Sequence, residues 1–390
     1  MKFLLLLICF IPLSSEARRV VTFAAGLEAI TNGVSPEISC EEAIANGGPI
    51  PAHCQDLFTS VCSNRPQPRL LNAMDQKIVN ATYGSLAATA TQAQRNVAAT
   101  DAVRMADEEA YDTSLKDGPS RDDIRRMMDP ARWNIVNIFN GVGYPSAARQ
   151  RQMATTVQNV RLKTGTEYVT SLIEWGRSQN PSASAEVLRR DAITTYTSAC
   201  GRTGLEVNAF YEEGEIVLCP GLVVSMRDYP DSPNRNEEIK AAMIFTMSHE
   251  VSHSIDYLTN PSDFDRLIAC YQQTSPDPSI LSDRNKLAEL TSDYFGAYSL
   301  GKYLTESGNH VKLGTATPVT PTSANIVLRI LARSLGGLCA HDPNDTDHPN
   351  SRYRMNQIVA RTPGIKSALG CPAPTAADPS CSLRGRVPAQ

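Results

Sequence analysis

Long apolar runs are scarce in this chain of 390 residues. The first, Phe3 to Leu13, is too short to span a bilayer, and no later stretch is long and apolar enough to do so. There is no basic stripe and no charged tail, and the formal net charge is −4, which disfavours nucleic acid and other polyanions as partners. Internal repeats and long low-complexity segments are missing too, which argues against solenoid and linker-like chains. Strand signals are few. Histidine is sparse, six residues in all, so a close grouping of two of them carries information.

The N-terminus reads as a secretory signal over residues 1–17. Lys2 precedes the apolar run, and Ser15-Glu16-Ala17 is a small-x-small cleavage site. The mature chain is expected to begin near Arg18 and to be a secreted, soluble monomer without a membrane anchor, extracellular or, in a bacterium, periplasmic. Its charge is unchanged by processing, because Lys2 and Glu16 leave together. Of ten cysteines, Cys9 goes with the signal and nine remain. That is many for a cytosolic protein and ordinary for an exported one, so disulfides are expected; the odd number leaves one thiol free or paired between chains. Asn80-Ala81-Thr82 and Asn344-Asp345-Thr346 are glycosylation sequons.

Residues 18–69 form a loop-rich lead carrying Cys40, Cys54 and Cys62. Residues 70–180 read as a helical domain, with helices over Leu71 to Ala110, Arg121 to Phe139 and Ser146 to Trp175. Asn180-Pro181-Ser182 marks a boundary. Beyond it come a helix from Ala183 to Ser198 and one hairpin. Leu205 to Tyr211 and Glu215 to Leu218 flank the turn signal Glu212-Glu213-Gly214. Further helices and a Pro-rich tail follow. The fold class is α+β, predominantly helical.

His249-Glu250-Val251-Ser252-His253 is an HExxH signature. Four residues apart on a helix means one face, so both imidazoles can reach a single metal ion, with Glu250 placed to take a proton from a water held there. The signature lies in an apolar stretch from Ile239 to Met247. Asn234 with Glu237 three residues on reads as its capping box. Glu289 and Asp293, again four apart, can supply a third ligand and an acceptor for an imidazole N–H. Alone, that carboxylate pair would read as a solvated helix face.

Together these residues resemble the neprilysin family of zinc endopeptidases. Val207-Asn208-Ala209-Phe210-Tyr211 is similar to the family's NAFY edge strand. His249 to His253 followed by Asp256 resembles its HExxHxxD, and Glu289 to Asp293 its ExxxD. Asp347-His348-Pro349 with Arg354 looks like its downstream histidine and arginine, and the spacing of Cys54 and Cys62 and the late cysteines agrees. The resemblance covers roughly Ala192 to Cys381. It implies a thermolysin/neprilysin-like domain over 181–390, one zinc ion held by His249, His253 and Glu289, and catalysis by Glu250 as general base. Asp293 and Asp256 would orient the imidazoles, and His348 would stabilise the oxyanion. Asn208, Ala209 and Arg354 would bind peptide backbone. It further implies Cys54–Cys371, Cys62–Cys339 and Cys270–Cys381 bridges; Cys200 and Cys219, flanking the hairpin, are candidates to pair with each other, leaving Cys40.

The chain also departs from the family. The interval between Cys62 and Val207 is short, so the helical domain is reduced; the terminal C-x-x-W is absent after Cys381; Ser248 replaces a glycine; and Tyr294-Phe295-Gly296 follows the ExxxD. Phe245, one turn before His249, is a candidate for an apolar side-chain pocket or for plain core. His53, His310 and His341 have no partner pattern. The reading is a secreted zinc endopeptidase acting on peptides or unfolded polypeptides. Two others stay open: an inactive binding protein on the same fold, and a zinc peptidase of another HExxH–ExxxD lineage.

Overall fold

The computed structural model describes residues 50–63, 69–111, 120–139, 142, 145–229, 232–274, 277–306, 308–309, 313–315, 319–339, 348–373, 380–383 and 385–387. The expected signal 1–17, the lead before residue 50, Cys40, His310, His341, Asn344 and Asp347 lie outside the described residues.

Two short helices, α1 (Ala52–Gln55) and α2 (Leu57–Ser63), open the described chain. They are followed by α3 (Arg69–Thr82), α4 (Gln92–Ala110), α5 (Arg121–Ile138), α6 (Ala147–Asn159), β1 (Arg161–Lys163), α7 (Gly165–Gln179) and α8 (Ala185–Cys200). The hairpin is β2 (Ala209–Glu212) and β3 (Glu215–Leu218), followed by α9 (Pro220–Ser225). Next come α10 (Arg235–Ser252), α11 (Asp265–Thr274), α12 (Pro278–Leu281), α13 (Arg284–Thr305) and α14 (Pro321–Leu335). Then follow α15 (Ser351–Tyr353), a π-helix over Arg354–Val359, α16 (Pro363–Ala368) and the pair β4 (Ser380–Ser382) and β5 (Gly385–Val387). The fold is predominantly helical with few strands.

Two of the expected helices are divided. The stretch 71–110 breaks between α3 and α4. Gly84 sits at the break, where a Cβ would come 2.6 Å from the Asn80 carbonyl oxygen, and Thr91 and Gln94 form a reciprocal capping box that starts α4. The stretch 146–175 contains β1, three residues that pair parallel to β3, after which Thr164 and Glu167 cap α7. A strand this short shows no alternation for a pattern to reveal.

Helix α10 is the axis of the molecule. Every residue from Ala241 to Ser252 is buried, as an all-round buried helix must be, and it packs against α5, α13, α14 and the hairpin. Its expected capping box does not form. Asn234 has ψ 22°, away from the extended backbone that aims a cap side chain at the first turn; its Nδ2 donates to Leu313 O at 2.9 Å, and Glu237 pairs with Lys240 at 2.9 Å instead. Buried Glu238 ties α10 to α14, accepting from Arg329 Nη2 at 2.7 Å and lying 3.4 Å from Arg333 Nη2. Where α10 meets α13, Gly296 lies so close to Phe245 that a Cβ would come 3.0 Å from its carbonyl oxygen. That approach brings the Glu289 turn of α13 level with the histidines of α10.

Among the described residues there are two apolar clusters, each with members from both sides of residue 180. One apolar cluster runs from Leu57 and Ile78 through Ile135 and Val157 to Met243, Phe295, Ile330 and Leu383. In this larger cluster α5 packs along α10.

The sheet order is β1-β3-β2, with β2 antiparallel to β3 and at the edge. Cys54–Cys371, Cys62–Cys339, Cys200–Cys219 and Cys270–Cys381 all lie at disulfide bonding distance. Among the described residues, no helix is long and apolar enough to cross a membrane.

Candidate metal centre

His249 lies in the last turn of α10, and His253 is the residue that ends that helix, still with helical backbone. Glu289 projects from the second turn of α13, whose start is fixed by Asp283 accepting from Asn285 N and Lys286 N. These elements bring three donor side chains together. His249 Nε2 lies 3.3 Å from His253 Nε2 and 3.3 Å from Glu289 Oε2, and His253 Nε2 lies 3.5 Å from Glu289 Oε1. The three form a largely buried group that could hold a metal ion.

The spacing tests the fit. Bonds of about 2.0–2.1 Å to a tetrahedral ion put ligand atoms about 3.3–3.4 Å apart. Two imidazoles and one carboxylate at those separations, bordering a cleft on one side, match a three-ligand zinc site that keeps one position open.

The far ring nitrogens are held by carboxylates. His253 Nδ1 donates to Asp256 Oδ2 at 2.9 Å, with Ser292 Oγ also 3.2 Å away. His249 Nδ1 lies 3.2 Å from Asp293 Oδ1, at ion-pair distance but off the line of a well-formed hydrogen bond. Asp293 is wholly buried and accepts from Arg354 Nε at 2.7 Å and Nη2 at 2.9 Å. Such partners fix ring orientation and raise ligand basicity. Ser292 carried no signal in the spacing, because any small residue inside ExxxD fits the motif.

Burial opposes charge throughout this cluster, and the pairs overcome it. Burial lowers His249, but Asp293 and Glu289 beside it lift its pKa to about 10. His253 also stands above its ordinary value, burial being outweighed by Asp256 and Glu289. Burial would raise Glu289, yet His249, His253 and Arg354 hold it well below the usual carboxylate range. Asp293 is held down against burial by Arg354 and His249. Glu250 differs: burial raises its pKa, opposed by His249 and His253. A carboxylate pushed up in this way is a better proton acceptor.

The centre opens on a cleft of ≈ 700 Å³. Glu250, His348, Phe245, Arg354 and the strand from Val207 to Tyr211 all line it. His348 Nε2 lies 3.4 Å from Glu289 Oε2. Arg354 is 5 % exposed, and its fork is turned onto Asp293, with Nη2 also 3.4 Å from Glu289 Oε2. Asn208 is part of the cleft wall, but its Nδ2 donates to Ala199 O at 3.0 Å. Phe245 is core and wall at once, 4 % exposed and stacked on the His249 ring at 6.4 Å. His53 is not among the residues that line the cleft, and its Nε2 lies 3.1 Å from Leu369 O.

The edge strand has a definite polarity. Cys219 N donates to Asn208 O at 3.1 Å, and Phe210 pairs with Val217 and Glu212 with Glu215. In an antiparallel ladder hydrogen-bonded pairs alternate, so the backbone N–H and C=O of Ala209 and Tyr211 face away from β3, toward the open edge. The NAFY-like motif marks Ala209 and assigns Tyr211 no role; period-two alternation from Ala209 is the signal that finds it.

Searched against protein-family models, curated proteins and solved structures, the chain has no match in any of the three.

Proposed function

We propose that the chain is a secreted zinc-dependent endopeptidase, with a neprilysin-like catalytic domain and a reduced helical part. The observation that carries this reading is the set of donor atoms on His249, His253 and Glu289, 3.3–3.5 Å apart, at the side of a cleft that also holds Glu250 and the open edge of β2.

Zinc bound at these three residues supplies a Lewis acid that polarises the scissile carbonyl and acidifies the attacking water. The chain's own residues do the rest. Ala209 and Tyr211 offer backbone donors and acceptors to an extended peptide, which adds to β2 as a strand. Glu250 accepts the proton of the attacking water and returns it to the leaving amine. His348, 41 % exposed at its side chain and beside Glu289, stabilises the developing oxyanion. Asp256 and Asp293 keep the imidazoles oriented. Arg354 holds Asp293 in place and lines the cleft, where the family resemblance would have it contact a substrate carbonyl.

The test is cleavage of a mixed peptide library by the purified protein, with and without a zinc chelator, alongside Glu250→Gln. Chelator-sensitive cleavage that disappears in the variant is expected. Cleavage that ignores both treatments would refute the mechanism.

A further inference from the structure

Asp56 sits between α1 and α2, far in sequence from the metal centre, yet its carboxylate is tied to the segment that delivers His348 and Arg354. Its Oδ1 accepts from Asn356 Nδ2 at 3.0 Å and from Thr59 N at 3.1 Å. Its Oδ2 accepts from Arg352 Nη1 at 2.5 Å and from Thr59 Oγ1 at 2.8 Å. The Asn356 carboxamide is held at both ends, because its Oδ1 accepts from Phe58 N at 2.9 Å. Arg352 is held twice more, its Nη2 donating to Thr59 Oγ1 at 3.2 Å and its guanidinium lying 4.8 Å from the centre of the Phe58 ring.

Arg352 and Asn356 flank Arg354 by two residues on either side. The segment therefore alternates: Arg352 and Asn356 face the N-terminal helices, while Arg354 faces Asp293 and Glu289. From Arg354 to Val359 its backbone is a π-helix, a form that is rare. Two bridges fasten the same N-terminal helices on both sides of it. Cys62–Cys339 joins before His348, and Cys54–Cys371 joins after Val359.

We propose that Asp56 is a positioning residue for the cleavage reaction, acting through Arg352 and Asn356 to fix where Arg354 and His348 stand in the cleft. This rests on the peptidase reading. The N-terminal helices are then part of the active-site framework and not only a covalent strap.

The experiment uses the full chain with its disulfides formed. Asp56→Ala, Asp56→Asn, Asn356→Ala and the Asp56→Ala/Asn356→Ala double variant are compared for zinc content, thermal stability, kcat and KM. Zinc content is expected to stay at the wild-type value, since no ligand is touched. In Asp56→Ala, kcat/KM is expected to fall about 10- to 100-fold, the scale of a small misplacement of reacting groups. Asp56→Asn, which keeps one acceptor oxygen, is expected to recover part of that loss. The double variant is expected to be little worse than Asp56→Ala, because both changes cut the same tether. Unchanged kcat/KM in a less stable Asp56→Ala, or losses that multiply in the double variant, would overturn the proposal and leave the peptidase reading standing. If Asp56→Ala does not fold, Asn356→Ala decides by the same kinetic criterion. A wild type inert toward peptides would remove the peptidase reading and this proposal with it.

Discussion

His249 Nε2 stands 3.3 Å from His253 Nε2, with Glu289 3.3 Å from the first ring and 3.5 Å from the second. Each ring has its other nitrogen beside a carboxylate, Asp293 for His249 and Asp256 for His253. Two imidazoles turned nitrogen to nitrogen gain little from each other. They gain from a cation between them. The purified protein is therefore expected to carry about one zinc per chain, and His253→Ala to lose it. Elemental analysis showing undiminished zinc in that variant would sink the ligand assignment.

Protons compete for the same donors. His249 has its pKa lifted to about 10 in the metal-free protein. The stability it contributes is present below its ordinary value and is lost as pH rises through 10. Glu289 and Asp293 are shifted down, so their contribution is present above the ordinary carboxylate range and is lost in acid. These are the same contacts seen from both partners and count once. The metal-free protein should be most stable at roughly pH 5 to 6.5, between the ordinary carboxylate and imidazole values. Zinc must displace the imidazolium proton, so its affinity should rise with pH. Competition with a chromophoric chelator at several pH values measures this; affinity independent of pH across the acidic to neutral range would contradict it.

The parts of the fold that the sequence makes legible are those whose signal is local. The HExxH spacing puts His249 and His253 on one face of a buried helix, and Glu289 and Asp293 lie on a second helix because four residues make a turn. The hairpin is readable from Glu213-Gly214. The division of labour at Arg354 is not, because its partner Asp293 is 61 residues away and only packing decides which way the guanidinium turns. Likewise Asn234 has the right identity for a cap but the wrong backbone. The packing of α5 against α10 depends on which apolar face meets which, and the Asn180-Pro181-Ser182 signal cannot reveal that.

Glu250→Gln separates metal binding from turnover. The substitution keeps size and removes the base, while His249, His253 and Glu289 are untouched. Zinc content is expected to be unchanged and kcat to fall by roughly 10²- to 10⁴-fold, the usual worth of general acid–base catalysis. Near-normal cleavage by this variant would mean that Glu250 is not the base.

The long bridges should dominate resistance to unfolding. Cys54–Cys371 spans 317 residues and Cys62–Cys339 spans 277. Replacing either pair by serine is expected to cost about 2–5 kcal/mol, the range for native bridges. Denaturant melts of the two double variants measure it. Non-reducing peptide mapping should recover all four pairs, and recovery of Cys54 or Cys62 with another partner would refute the pairing.

Substrate shape follows from the edge of β2. Asn208 donates one carboxamide N–H to Ala199 O, and along the strand the outward backbone groups of Ala209 and Tyr211 offer an open edge. A backbone can only pair with another extended backbone. Helical or compactly folded segments cannot present one. A short apolar peptide and a long unfolded chain should therefore both be cut. The same cleavage sequence embedded in a domain of ordinary stability should be cut at least about 10³-fold more slowly, since only the small unfolded fraction is accessible. The cleft wall includes Leu71 from α3, so the N-terminal helices border the site. If only the short peptide is cut, those helices close the cleft to long chains and the expected cleavage of the unfolded chain fails. If the folded domain is cut as fast as the unfolded chain, strand addition to β2 is not how substrate binds.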